Sequence, residues 1–322
     1  MNDAKRLLQA VGHPRRLPQQ GSWPTASHCL GKREALALIA ALASERPILV
    51  RGEPGIGKSQ LARAAADILE RRFLSTVIQP NSEYEELLWT LDYTERLADA
   101  QMLAHAADRS AGLKPVQAYI SPGPVWYALS WPENEAARNQ SNYRPSQAAP
   151  TSSGKLPDPR EDGVVLLIDE VDKADITLAN GLLEVLGNGQ FEVRHSGEVV
   201  RAGEVKPLVV LTSNDTRQLP AALLRRCVIL DLALPADRDE LIAHLVNIGA
   251  AHFPDVDEDD LKGAAQQIVD DREDCRDLPK TGQAEYLDLL RALDQVTRQR
   301  GNDWTHWLQQ LAPFFHKSRV HR

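Results

Sequence analysis

Apolar residues fall into two rhythms along this 322-residue chain. One is a set of short, nearly continuous runs closed by polar residues: PILVRG from Pro47, FLSTVIQP over 73–80, VVLLIDE over 164–170, PLVVLTSND from Pro207 and CVILDLALP from Cys227. Runs this short with little polar alternation predict strands buried on both faces, and so a parallel sheet. The other rhythm is helical: KREALALIAALAS over 32–44, the alanine-rich stretch over 58–71, and Ile176 to Leu186 with Leu178, Leu182 and Leu186 on one stripe. LPAALLRR adds a short helix before the last strand. Strands alternating with helices predict an α/β sandwich, its sheet covered on both faces. GQFEVRHSGEVVRAG alternates around Ser196-Gly197 and predicts a β-hairpin. Beyond Pro235 only helical spacing remains, which predicts a smaller helical domain over 235–322 after an α/β domain over 28–234.

Three segments stand apart from these rhythms. Residues 1–27 are polar and punctuated by proline, and read as an N-terminal extension or loose cover. From Ser82 to Arg109 the spacing is helical, until YISPGPVWYAL (119–129) breaks it with Pro-Gly-Pro and aromatics. Residues 131–162 are rich in Pro, Ser, Asn, Gln and charge, and read as a mobile surface loop.

Composition narrows the picture. Thirty-seven basic against 45 acidic residues leave a formal charge of −8, which argues against a nucleic-acid binder. The three cysteines, Cys29, Cys227 and Cys275, have no metal-binding or disulfide-framework spacing. The N-terminus lacks the apolar core of a signal peptide, and no run approaches the roughly 20 apolar residues of a membrane span. A cytoplasmic protein without membrane contact is expected. The acidic DVDEDD (255–260) lacks the glycine and distal glutamate of a calcium loop, and reads as a solvated helix entry.

Candidate chemistry gathers at three strand ends. GEPGIGKS fits G-x-x-x-x-G-K-[ST], with Gly52, Gly57, Lys58 and Ser59 in register between a strand and a helix. A polyphosphate needs converging backbone N–H groups, hence glycines free to take positive φ and a helix N-terminus behind them. Gly55 adds a third glycine, and Glu53, Pro54, Ile56 and Gln60 complete the expected cradle. Lys58 would reach the outer phosphates, and Ser59 would ligate Mg²⁺. A hard cation also calls for a carboxylate, which Asp169 offers, while Glu170 would orient the attacking water. Asn214, after the next strand, would hold that water; a turn-forming asparagine is the plain alternative. Arg225 and Arg226 close a short helix, either as a charge offered to a neighbouring subunit's site or as complements of the helix dipole.

These elements resemble the AAA+ ATPases, and more closely the MoxR-type group. The likeness runs from about residue 28 to 295, through RPILVRGEPGIGKSQLA, EELLWTLDYTERLADAQ, YISPGPVWYAL, LLIDEVDKADITLANGLLEVL, TSNDTRQLPAALLRRC and LPKTGQAEYLDLLRAL. It implies a P-loop NTPase core, a helical lid and ATP held between subunits of a ring, usually a hexamer. It further implies a Walker A loop at 52–59, a Walker B pair Asp169-Glu170, a sensor-1 residue at Asn214 and an arginine finger near Arg226. The segment near 112–130 resembles the helix-2 insertion of this branch, and GQFEVRHSGEVVRAG (189–203) its pre-sensor-1 hairpin; both would project toward a remodelled protein. Partners with a von Willebrand factor A domain are implied by the resemblance alone. One departure stands out: Ala284 falls where the lid arginine called sensor 2 is expected, leaving Lys280 or Arg276 as substitutes. A nucleotide-dependent switch in a defence or regulatory complex is the rival function, and a nucleic-acid motor or loader a weaker one.

Overall fold

The computed structural model describes residues 2–105, 112–132, 143–275, 280–300 and 303–316. In chain order its elements are α1 (Asn2–Ala10), β1 (Pro14–Leu17), β2 (Ala26–Cys29), α2 (Lys32–Ser44), β3 (Ile48–Arg51), α3 (Lys58–Leu69) and β4 (Arg72–Val77). Next come α4 (Tyr84–Leu88), β5 (Trp89–Leu91), α5 (Tyr93–His105), β6 (Ile120–Pro122) and α6 (Pro124–Leu129). Then follow β7 (Val164–Asp169), α7 (Ile176–Asn188), β8 (Gln190–Val193), β9 (Glu198–Arg201), β10 (Leu208–Ser213), α8 (Ala221–Arg226) and β11 (Val228–Asp231). The chain continues through α9 (Arg238–His252), α10 (Glu258–Asp274), α11 (Gln283–Arg300) and α12 (Trp304–Leu311).

The predicted buried strands form one five-stranded sheet in the order β11-β3-β10-β7-β4, with every pairing parallel. Each strand feeds both faces, as the two-residue period demands. Leu166, Ile168, Val209 and Leu211 pack beneath α4, α6 and α7. Val165, Leu167, Val210, Ile48 and Val50 pack against α1, α2 and α3. The register also aligns the strand ends: Ser213 and Asp231 both lie opposite Arg51, and Val77 lies opposite Asp169. Whatever follows those residues therefore converges at one end of the sheet.

Helix boundaries follow local chemistry. Asp175 caps α7 by accepting from the Leu178 N–H at 2.7 Å, and Gly189, at φ +63°, ends it. Asp237 caps α9 through the N–H groups of Asp239 and Glu240. The hairpin expected around Ser196-Gly197 forms from β8 and β9. Ser82 to Arg109 is not one helical stretch, because Trp89–Leu91 leaves it to pair antiparallel with Ile120–Pro122. The β5–α5–β6 excursion thus begins well before residue 112, between the short helices α4 and α6.

Residues 2–30 are not a loose cover. Leu7, Ala10 and Leu30 are buried against α2 and α3, Leu17 is buried too, and the Arg63 guanidinium of α3 donates to the Pro18 carbonyl at 2.7 Å and the Pro24 carbonyl at 3.1 Å. The described part of the polar loop, 143–162, is likewise tied down. Buried Asp67 accepts from the Ser152 N–H and hydroxyl, each at 2.6 Å, and from Arg15 at 2.9 Å. Residues 133–142 of that loop lie outside the described residues. After β11 the described chain is helical, and Leu245, Leu261, Ile268, Tyr286, Leu289 and Trp304 form a separate core. No helix among the described residues is long and apolar enough to cross a membrane.

Candidate functional site

The turn between β3 and α3 is built around glycine. Gly52, Gly55 and Gly57 have φ of +152°, +80° and +97°. A Cβ on Gly52 would come within 2.5 Å of the Leu232 carbonyl oxygen, so neither the backbone angle nor the space admits another residue. Lys58 opens α3 and is buried, its ammonium donating to the carbonyls of Gly52 at 2.8 Å and Glu53 at 2.9 Å. Burial lowers its proton affinity, and Asp169, Asp172, Asp215 and Glu170 pull it back up. A cation sits inside the turn, at a helix N-terminus whose first amides have no intrahelical acceptor.

The ends of β7 and β10 meet that turn. Ser59 Oγ donates to one oxygen of Asp169 at 2.9 Å, and Thr212 Oγ1 donates to the other. Thr212 also accepts from the Glu170 N–H at 3.0 Å. Glu170 sits in the left-handed region at φ +62°, an uncommon conformation for a non-glycine residue. Its Oε1 accepts from Asn214 Nδ2 at 3.4 Å and its Oε2 from Lys173 Nζ at 2.5 Å. Behind them Asp172 is 2% exposed and accepts from the Asn214 N–H, the Thr216 N–H and the Thr216 hydroxyl. Burial alone would raise the Asp172 carboxyl, but these hydrogen bonds outweigh it and hold the group below the usual aspartate value. Thr212, Asp172 and Lys173 carry no motif signal of their own. They are legible only as polar residues beside the strand ends.

Residues 47–227, more than half of the chain, match the model of the AAA domain family, dynein-related subfamily. The chain belongs to that family of ATPases. It is also similar to chaperone protein ClpB 1 of Synechocystis sp. (strain ATCC 27184 / PCC 6803 / Kazusa), with 29% identity over 224 residues. That match covers 66% of this chain and 18% of the relative, so the chain spans about a fifth of that protein's length. Among solved structures, a proline-to-glycine variant of Thermotoga maritima RuvB is similar at TM-score 0.46 and 16% identity, covering 87% of this chain and 67% of that one.

Within this AAA domain the two arginines lie elsewhere. Arg225 and Arg226 end α8 just before β11, whose first residue Val228 pairs with Ile48, the first of β3. They are therefore at the opposite end of the sheet from Gly52. Arg226 lines a cavity of about 910 Å³ there, with Arg46, Asn180, Glu184 and Lys206. The helical lid meets the phosphate-loop end instead. A Cβ on Gly55 would come within 2.5 Å of the Ala284 Cβ, and Gln283 Nε2 lies 3.7 Å from the position a Cβ on Gly57 would take. Lys280 is exposed, and Arg276 falls outside the described residues. Among the described residues, the lid arginine bonded to the loop is Arg272, which meets Glu53 at 2.8 Å.

Proposed function

We propose that this chain is a MoxR-type AAA+ ATPase that hydrolyses ATP with Mg²⁺ to remodel or mature a protein partner, as a homo-oligomeric ring, hexameric as is usual for that group. The observation that carries the reading is the junction of Ser59 with Asp169 at 2.9 Å, beside Glu170 and Asn214 paired at 3.4 Å. A serine hydroxyl and a carboxylate in contact are the hard oxygen donors that Mg²⁺ selects, so Ser59 and Asp169 fit the ion. When bound, Mg²⁺ would neutralise phosphate charge. The glycine turn and Lys58 hold the phosphates. Glu170 accepts the proton of the attacking water, and Asn214 orients that water. Arg226, or Arg225 beside it, reaches a neighbour's site because its own lies at the far end of the sheet. Catalysis is then positioning plus electrostatics, so each part has its own signature.

The partner class rests on the resemblance alone: a protein with a von Willebrand factor A domain. The acidic balance of the chain favours a protein client over nucleic acid. One observation favours the rival reading, a nucleotide-dependent switch with slow turnover. Lys173 Nζ holds Glu170 Oε2 at 2.5 Å, an ion pair that makes the carboxylate a weaker base. The Glu170→Gln variant separates the roles: it should bind ATP as the native chain does while turnover falls by about a hundredfold or more. Undiminished hydrolysis by that variant would remove the mechanism. Lys173→Met tests the rival: faster turnover by the variant supports a restrained switch, and unchanged turnover argues against it.

A further inference from the structure

At the place where the family resemblance leads one to expect a lid arginine, Ala284 packs on Gly55 and brings no charge. Charge arrives from the end of the preceding helix. Arg272, in the last turn of α10, donates from Nη2 to Glu53 Oε1 at 2.8 Å and from Nη1 to the Thr281 carbonyl at 3.0 Å. Its side chain is 17% exposed and that of Glu53 40%. The turn it grips is fixed in its own right. The Thr281 hydroxyl donates to Asp271, and the Gly282 N–H to Glu285 at 3.0 Å. One guanidinium therefore ties together α10, the entry to α11 and the phosphate loop. Glu53 is the shared member: its carbonyl accepts from Lys58 at 2.9 Å while its carboxylate accepts from Arg272.

We propose that Arg272 is a positioning residue that couples the lid to the phosphate loop through Glu53, so that lid closure and loop conformation shift as one equilibrium. The proposal rests on the reading of 52–59 as a triphosphate cradle. It assigns Arg272 to nucleotide capture, leaving the reacting atoms to Glu170 and Asn214. An ion pair fixed at both ends by further hydrogen bonds transmits displacement, whereas a neutral contact such as Ala284 on Gly55 transmits only shape.

The test is a double-mutant cycle in the full chain: Arg272→Met, Glu53→Gln, the two combined, and Arg272→Lys. The first readout needs no nucleotide. Amide hydrogen exchange over 53–57 and 282–286 should quicken in both segments by about fivefold in either single variant. The combined variant should exchange no faster than either single one, because both cut the same link. Arg272→Lys should fall between. The second readout is kinetic: KM for ATP should rise about fivefold in Arg272→Met, in Glu53→Gln and in their combination, and less in Arg272→Lys, while kcat stays within twofold. Exchange at 53–57 that ignores Arg272→Met, or single effects that multiply in the combined variant, would overturn the coupling. So would a fall in kcat at constant KM. If the native chain takes up no ATP, the ATPase reading fails, and the exchange cycle still decides the link.

Discussion

Asp172 is the most deeply buried carboxylate at the site, and it is kept charged by hydrogen bonds from Asn214 and Thr216. Its folded proton affinity lies below the ordinary aspartate value of 3.8. A lowered carboxylate stabilises the fold fully above the ordinary value, and the contribution is lost as pH falls through the folded one. Asp172→Asn should therefore flatten the acid limb of stability against pH, below about pH 4, in urea titrations at a series of pH values. A limb as steep as that of the native chain would show that Asp172 is not the group responsible. At this scale the sequence is most informative where backbone geometry admits few residue types. Gly52, Gly55, Gly57, Lys58 and Ser59 are legible because each fills a position with a steric or electrostatic demand. Asp172, Thr212 and Arg272 are not, since a lone acid, hydroxyl or guanidinium has many uses and only the fold brings these three to the site.

Helix α3 joins the site to the rest of the domain. It starts at Lys58 and, nine residues later, carries Asp67, which anchors both Arg15 of β1 and Ser152 of the polar loop. Asp67→Ala removes three charge-assisted hydrogen bonds, leaving partners that water can reach. It should cost about 2 kcal/mol in denaturant unfolding and release residues 143–162 to rapid proteolysis. Native-like stability and protease resistance would mean that the loop is held by something else. The central strands are legible because a short, continuous apolar run bounded by turn residues is stable in few places except the middle of a covered sheet. The N-terminal segment is not, because its apolar residues are few, Leu17 standing alone among arginines and prolines, and the burial of Leu7 depends on α2 and α3 arriving beside it. The short strand β5 is hidden for a similar reason: Trp89–Leu91 pairs with residues about thirty positions away, and its own spacing suits a helix.

Across the whole molecule the parallel register puts the phosphate loop and Arg226 at opposite ends of one sheet. Arg225 and Arg226, at the far end from their own chain's loop, are suited to act on a neighbour's. Arg226→Ala should bind ATP normally and lose turnover, whereas Lys58→Ala should lose turnover by failing to hold the nucleotide. Mixed assemblies of Arg226→Ala with Lys58→Ala should recover part of the native rate, because some interfaces then pair an intact loop with an intact arginine. No recovery at any mixing ratio would place the arginine outside the site. The separate helical core beyond β11 suits a lid that moves as a body, with Glu53 and Gly55 as its landing points.

The central claim is that the turn over 52–59 grips a nucleoside triphosphate, and calorimetric titration of ATP with Mg²⁺ into the native chain and the Lys58→Ala variant tests it most directly. The expected result is saturable uptake by the native chain and none by Lys58→Ala. A native chain that takes up no nucleotide, or a variant that binds as tightly as native, would contradict it.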